Sequence, residues 1–402
     1  MLLHPRPLLS DELDYDQLGW TLATTGQFAT DGHPTAYHMP GYPAFVAAVY
    51  AGFGRSPIAV KIAQAILDSC TALFLSLLVS KSFPRAALGM GLFWAFFPAA
   101  ILFSGQLFSE TLLVFIVVGV TAFVTRARSV SWVGACTLGA ALGASALIRP
   151  VACILVPIVA LLVPSRPARL RALLVGIACV PVLFWVHRNA VVMHRPVLST
   201  LSGANLLIAN YPGATGRYSV KAPGVTARDE AAMDSAATAE AKRYILDDPK
   251  GFLVRGAHKV LLLLTSEGEL AVGYFSPKAQ DPSARYREKL RAVPVWIYLL
   301  VSLPTAVTLI VGFFRLATRR VDSTEIIFLA LALATVVSVI PFLGSARYRF
   351  PLMPYFALFS VELLATGPSR FKGVAWPRIA IACGAAVLVV LVWAAEWSVV
   401  HR

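Results

Sequence analysis

Charge is what this chain has least of. Only 14% of its 402 residues are charged, and acids are the rarer sign, with Asp+Glu 21 against Lys+Arg 35. Soluble domains carry about 25%, so a water-soluble globular protein is excluded. The five cysteines (Cys70, Cys136, Cys153, Cys179, Cys383) all lie in apolar stretches without metal-ligand spacing, so they indicate neither a thiolate metal site nor a disulfide framework. There is no HExxH, and no glycine-rich loop of the P-loop or dinucleotide type. Internal repeats and low-complexity runs are also lacking. The first residues lack the charged start, short apolar core and cleavage site of a signal peptide.

What is present is oil. Hydrophobic residues make up 57% of the sequence, and the mean hydropathy is +0.71. Apolar runs fall at 58–79, 86–104, 108–125, 130–148, 150–163, 172–187, 293–314, 323–343, 350–366 and 376–397. The runs are continuous rather than alternating, which selects helices over a barrel. The expected fold is therefore an all-α polytopic membrane protein of about ten to eleven transmembrane helices. The connections "SKSFPRAA", "TRARS", "PSRPARLRA", "RLATRRVD" and "GPSRFKG" are all basic and occur at every second turn, which assigns them to the cytoplasm. The formal net charge of +14 is thus read as orientation in a membrane, not as nucleic-acid binding. Four parts follow. Residues 1–57 are an extracytoplasmic acidic loop with an interfacial helix, and 58–187 are transmembrane helices. Residues 188–291 are an extracytoplasmic segment, and 292–402 are the C-terminal transmembrane helices.

The rare acids cluster. "LLSDELDYDQLGW" places Asp11, Glu12, Asp14 and Asp16 within six positions. One reading is structural: Ser10 or Asp11 caps a helix whose first turn is acidic. The other is chemical: a carboxylate at the outer face accepts a proton from an attacking hydroxyl. Glu110, in "QLFSETLLVF", is expected at the same depth. Downstream, "YHMPGYPAFVAAVY" breaks at Gly41 between Pro40 and Pro43 and then starts a helix too short to span. That helix reads as interfacial, with Tyr37, Tyr42 and Tyr50 as belt residues. In the long external segment, "RDEAAMDSAATAEAKRYILDDP" reads as a helix.

Basic residues on the external side stand against the topological rule. Arg55, Lys61, Arg149, Arg188, Arg347 and Arg349 lie at or near outer helix ends. They either snorkel to headgroups or hold an anion, and guanidinium groups match phosphate in a two-pronged fork. The acids could also hold a divalent cation through oxygen ligands. His33, His38, His187, His194 and His258 are scattered and read as ordinary polar residues. Asp68, with Lys61 ahead of it, is the main acid inside a span.

Taken in order, "SDELDYDQLGWTLA", "AYHMPGYPAFVAAVY", "LFSETLL", "ALIRP", "FWVHRN", "LSGANLLIANYPGATGRY" and "GSARYRFPLMPY" resemble the GT-C membrane glycosyltransferases. The likeness is to the superfamily of dolichyl-phosphate-mannose–protein mannosyltransferases and aminoarabinose transferases, over nearly the whole chain. It implies a cell-envelope enzyme that moves a sugar from a polyprenyl-phosphate donor to a lipid, polysaccharide or protein acceptor at the extracytoplasmic face. It implies Asp11 as the base, Glu12 and Asp14 as fallback candidates, and Glu110 as a second acid. It further implies that Arg149, Arg347 and Arg349 contact the donor phosphate, and that Arg188 with Asn189 matches the family's "RN". The family has a transmembrane helix ahead of its acidic loop, whereas this sequence starts with the loop. An upstream helix is therefore expected to be missing, unless the following helix translocates the segment. Competing classes are a transporter or flippase of an anionic lipid or sugar, for which Asp68 is the pointer, and a non-catalytic membrane scaffold.

Overall fold

The computed structural model describes residues 8–164, 168–219, 223–276, 286–318, 322–367 and 371–401. Parts of three of the basic connections lie outside these residues. The architecture is all-helical apart from one two-residue antiparallel pair, β1 (Ala29–Thr30) with β2 (His33–Pro34). Two helices precede the first long span: α1 (Asp11–Thr25) and α2 (Gly41–Phe53). They are followed by α3 (Pro57–Ser80), α4 (Ala87–Ala95), α5 (Pro98–Ser104), α6 (Glu110–Arg126), α7 (Trp132–Ile148), α8 (Leu155–Leu162) and α9 (Ala168–Val192). Residues 188–291 hold α10 (Ser202–Asn210), α11 (Glu230–Asp247), α12 (Pro249–Leu262), α13 (Gly268–Phe275) and α14 (Tyr286–Arg291). The chain ends with α15 (Val295–Ala317), α16 (Ser323–Val339), α17 (Met353–Thr366) and α18 (Trp376–His401).

Each of the ten apolar runs falls on helix, but length separates them. Among the described residues, α3, α9, α15 and α18 are long and apolar enough to cross a membrane, and the bent pair around α4 and α5 makes a fifth candidate. The bend, 53°, comes from Pro98. A proline disfavours helical backbone in the residue before it, and Phe97 is extended at φ −70, ψ 113. Proline also shortens two further runs. The run at 323–343 stops at Val339, just before Pro341. The run at 350–366 opens as a 3-10 turn, Ala346–Leu352, before α17 begins. The run at 150–163 is likewise split, with a 3-10 turn at Pro150–Ile154 ahead of α8.

Polar caps and close contacts fix the packing. Ser56 accepts from the Ala59 amide to start α3, Ser131 does the same for Gly134 in α7, and Asp229 for Ala232 in α11. Helix α7 packs along α9 through "GAALG". A Cβ at Gly139 would stand 2.6 Å from the Leu174 carbonyl oxygen, and one at Gly143 would stand 2.8 Å from that of Ala178. Small residues four apart allow this approach. The main core joins α3 to α7 with α15 to α17, and includes Trp94 stacked on Phe97 and Phe103 against Phe350.

Two of the tyrosines at α2 depart from the belt reading. Tyr42 and Tyr50 are buried rather than at a belt, while Tyr37 is part-exposed. The hydroxyl of Tyr42 donates to Gln64 at 2.6 Å and that of Tyr50 donates to Asp16, so α2 is sandwiched against α1 and α3. Buried phenols need such partners, and these lie far away in sequence.

Candidate functional site

The site grows from three helix ends. Asp11 is in the first turn of α1, Glu110 opens α6, and Arg149 follows the last residue of α7. The fourth member, Arg347, sits in the 3-10 turn before α17. The Ser345 side chain caps that turn by accepting from the Arg347 amide at 3.2 Å, and Ser345 itself donates to Glu269 of α13. Helix α13 therefore helps aim Arg347.

Arg347 bridges two carboxylates. Its Nη1 donates to Asp11 Oδ2 at 2.6 Å, its Nε donates to Glu110 Oε1, and its Nη2 lies 3.4 Å from Glu110 Oε2. Arg149 Nη2 donates to the same Glu110 Oε1, and its Nε reaches Ser109 Oγ at 3.5 Å. Aromatic faces cover both guanidiniums: Phe108 at 4.0 Å from Arg347 and Tyr348 at 5.4 Å from Arg149. Glu110 is wholly buried, whereas the Asp11 side chain keeps 36% of its exposure. The cluster thus has a sealed end and an open end.

Burial by itself would push the Asp11 carboxyl up. The Arg347 charge and hydrogen bond, with His38 and Arg149 adding to them, overcome this and hold it below the usual carboxylate range. The Arg347 guanidinium is disfavoured by burial, but Glu110 and Asp11 raise it well above its ordinary value. Both members of this pair stay charged. Such an arrangement presents paired guanidinium donors to an anion, with a carboxylate at the rim.

The other acids of the opening cluster have separate partners. Glu12 is buried and accepts from the Leu107 amide at 3.0 Å and from the Leu9 amide at 3.3 Å, which ties α1 to the loop before α6. Asp14 bonds His38 Nε2 at 2.9 Å. Asp16 takes Arg55 Nε at 3.0 Å and Nη2 at 2.6 Å, besides the Tyr50 hydroxyl. Ser10, expected as a possible cap, makes no side-chain cap bond.

The basic residues divide in the same way. Lys61 is buried on α3. Arg188, in the last turns of α9, donates to the carbonyls of Thr35 at 2.7 Å and Phe28 at 2.8 Å, and so straps the hairpin of β1 and β2. Arg349 is buried, donates to the carbonyls of Leu263 and Thr265, and pairs with Glu267. No described hydrogen bond joins Arg188 or Arg349 to the cluster around Glu110. Asp68 accepts from Trp94 Nε1 at 2.9 Å. Among the described residues, no group of three or more His, Cys, Asp or Glu side chains is arranged to hold a metal ion.

Sequence reasoning missed Phe108, Ser109, Tyr348 and Ser345. All four adjoin singled-out residues, in "LFSE" and "GSARYR", so neighbours of the charged positions were the available signal.

No family model matches the chain, and no curated protein matches it. Among solved structures, the crystal structure of ArnT from Cupriavidus metallidurans in the apo state is similar over 89% of this chain and 74% of that chain, with 14% identity and a TM-score of 0.40.

Proposed function

We propose that the protein is a membrane glycosyltransferase that moves a sugar from a polyprenyl-phosphate-linked donor to an acceptor hydroxyl at the extracytoplasmic face, with inversion. The observation that carries this reading is Arg347 shared between a buried Glu110 and a rim Asp11, with Arg149 alongside. The order of sequence motifs supports it.

In this scheme the donor phosphate is held by Arg149 and Arg347. The acceptor oxygen attacks the anomeric carbon while Asp11 takes its proton. The sugar–oxygen bond breaks, and its electron pair goes to the phosphate oxygen. The guanidiniums stabilise that charge without reorganising, an effect typically worth about 3 kcal/mol per well-aimed donor. Glu110 holds both arginines in place. Arg188 and Arg349 act at a distance in this reading, by fixing the segments around the site.

The test uses purified full-length protein and a labelled polyprenyl-phosphate sugar. Asp11→Asn is expected to lower transfer by roughly 10²–10⁴-fold while donor affinity is kept. Arg347→Ala is expected to weaken donor binding. Undiminished transfer by Asp11→Asn would remove Asp11 as the base. Movement of the labelled donor across vesicles with its sugar–phosphate bond intact would replace the transferase by a transporter.

A further inference from the structure

We infer that a cavity between α10 and α11 is the acceptor subsite and takes an uncharged saccharide; this rests on the transferase reading. The cavity measures about 550 Å³ and is lined by Tyr37, Tyr218, Met233, Arg228, Glu230 and Asp234, among others. Its size lies within the roughly 300–1,000 Å³ of small-molecule sites.

Three observations choose the occupant. The first is aromatic surface. Tyr37 keeps 41% and Tyr218 71% of its exposure, and the two stand close enough for Tyr218 to raise the Tyr37 phenol. Burial acts on Tyr37 first, and together these push it up to about 12. Both aromatic rings line the cavity, and their flat faces suit the C–H face of a pyranose. The second is charge. Asp229, Glu230 and Asp234 all line the walls, and Arg228 lies 2.9 Å from Asp229 Oδ2. An anionic ligand is disfavoured here, so this cavity and the arginine cluster sort their ligands by charge.

The third observation is continuity with the site. The Tyr37 ring meets the His38 ring at 5.0 Å, and His38 bonds Asp14, one turn along α1 from Asp11. Glu230 holds this strap down by accepting from Thr35 Oγ1 at 2.7 Å and the Ala36 amide at 3.0 Å. Tyr37 is thus linked through His38 and Asp14 to the helix that carries Asp11.

The experiment is saturation-transfer NMR on the full chain in nanodiscs, with methyl α-glucopyranoside and methyl phosphate as probes. Methyl glucoside is expected to receive saturation in the wild type and to lose it in Met233→Trp, which fills the cavity. Tyr218→Ala should weaken its binding roughly three- to tenfold without moving the unfolding midpoint. Saturation of methyl glucoside that ignores both substitutions, or a cavity that responds only to methyl phosphate, overturns the inference. The two readings also fail separately. If Arg347→Ala keeps full donor affinity while methyl glucoside still depends on Tyr218 and Met233, the transferase falls and the saccharide site stands. If transfer is normal in Met233→Trp with an unchanged acceptor KM, the saccharide site falls alone.

Discussion

Two carboxylates and two guanidiniums cancel in the cluster of Asp11, Glu110, Arg149 and Arg347, so it is neutral before any ligand arrives. In the proposed scheme the donor phosphate would bring negative charge to this neutral cluster. Arg347→Lys keeps the charge but loses the fork that grips Asp11 and Glu110 together; donor affinity should drop at least about tenfold in a binding titration. Glu110→Ala leaves two guanidiniums facing each other in a buried pocket and should cost about 3–5 kcal/mol of stability, read by denaturant unfolding. The Asp11 carboxyl is depressed in the folded protein, so its stabilising share is complete above the unfolded value of about 3.9 and disappears as pH falls through the folded value. The difference in unfolding midpoint between wild type and Asp11→Asn should therefore be flat from about pH 5 to 8 and shrink below about pH 4. Residue type pointed to Glu110, Arg149 and Arg347 as charges at the ends of apolar runs, and to Asp11 only as one of four clustered acids, the family resemblance choosing it among them. It could not separate Arg347 from Arg349. The partners of Arg349 are the Leu263 and Thr265 carbonyls and Glu267, which only the packed chain brings near.

At the scale of elements, the site depends on how α2 meets the end of α7. A Cβ on Gly41 would come within 2.8 Å of the Ile148 amide nitrogen and the Leu147 carbonyl carbon, next to Arg149. Gly41→Ala must therefore push backbone against backbone. About 1–3 kcal/mol of destabilisation is expected, seen as a lower unfolding midpoint, and donor affinity should fall because Arg149 moves. The sequence showed Gly41 as a breaker between two prolines, and α2 does begin there. The close approach to α7 was not legible, since it depends on the absence of a side chain facing a distant helix. The same limit applies to α2 as a whole. Its apolar composition fits an interface helix, and composition does not show that one face is buried by bonds from its tyrosines to Gln64 and Asp16.

Across the whole molecule, residues 188–291 are coupled through named bonds to the turn before α17, by Ser345 with Glu269, and to the N-terminal segment, by Glu230 with the Thr35 strap. Glu230→Ala should loosen residues 35–38, detected as faster proteolysis there and a higher acceptor KM. The alternation of basic connections predicts sidedness. In a cysteine-free background, Tyr218→Cys should react with an impermeant maleimide in intact cells, and Arg128→Cys only after permeabilisation. A last consequence follows from the stature of the helices that carry the charges. α6, which opens on Glu110, and α7, which Arg149 follows, have 17 residues each, and α17, after the Arg347 turn, has 14, or about 26 and 21 Å at 1.5 Å per residue. A hydrocarbon layer is about 30 Å thick, so α6 and α7 match a layer thinner than that. Acyl-chain length then becomes a dial on the protein: short-chain vesicles should suit it, and long-chain ones should tax both its turnover and its endurance to heat.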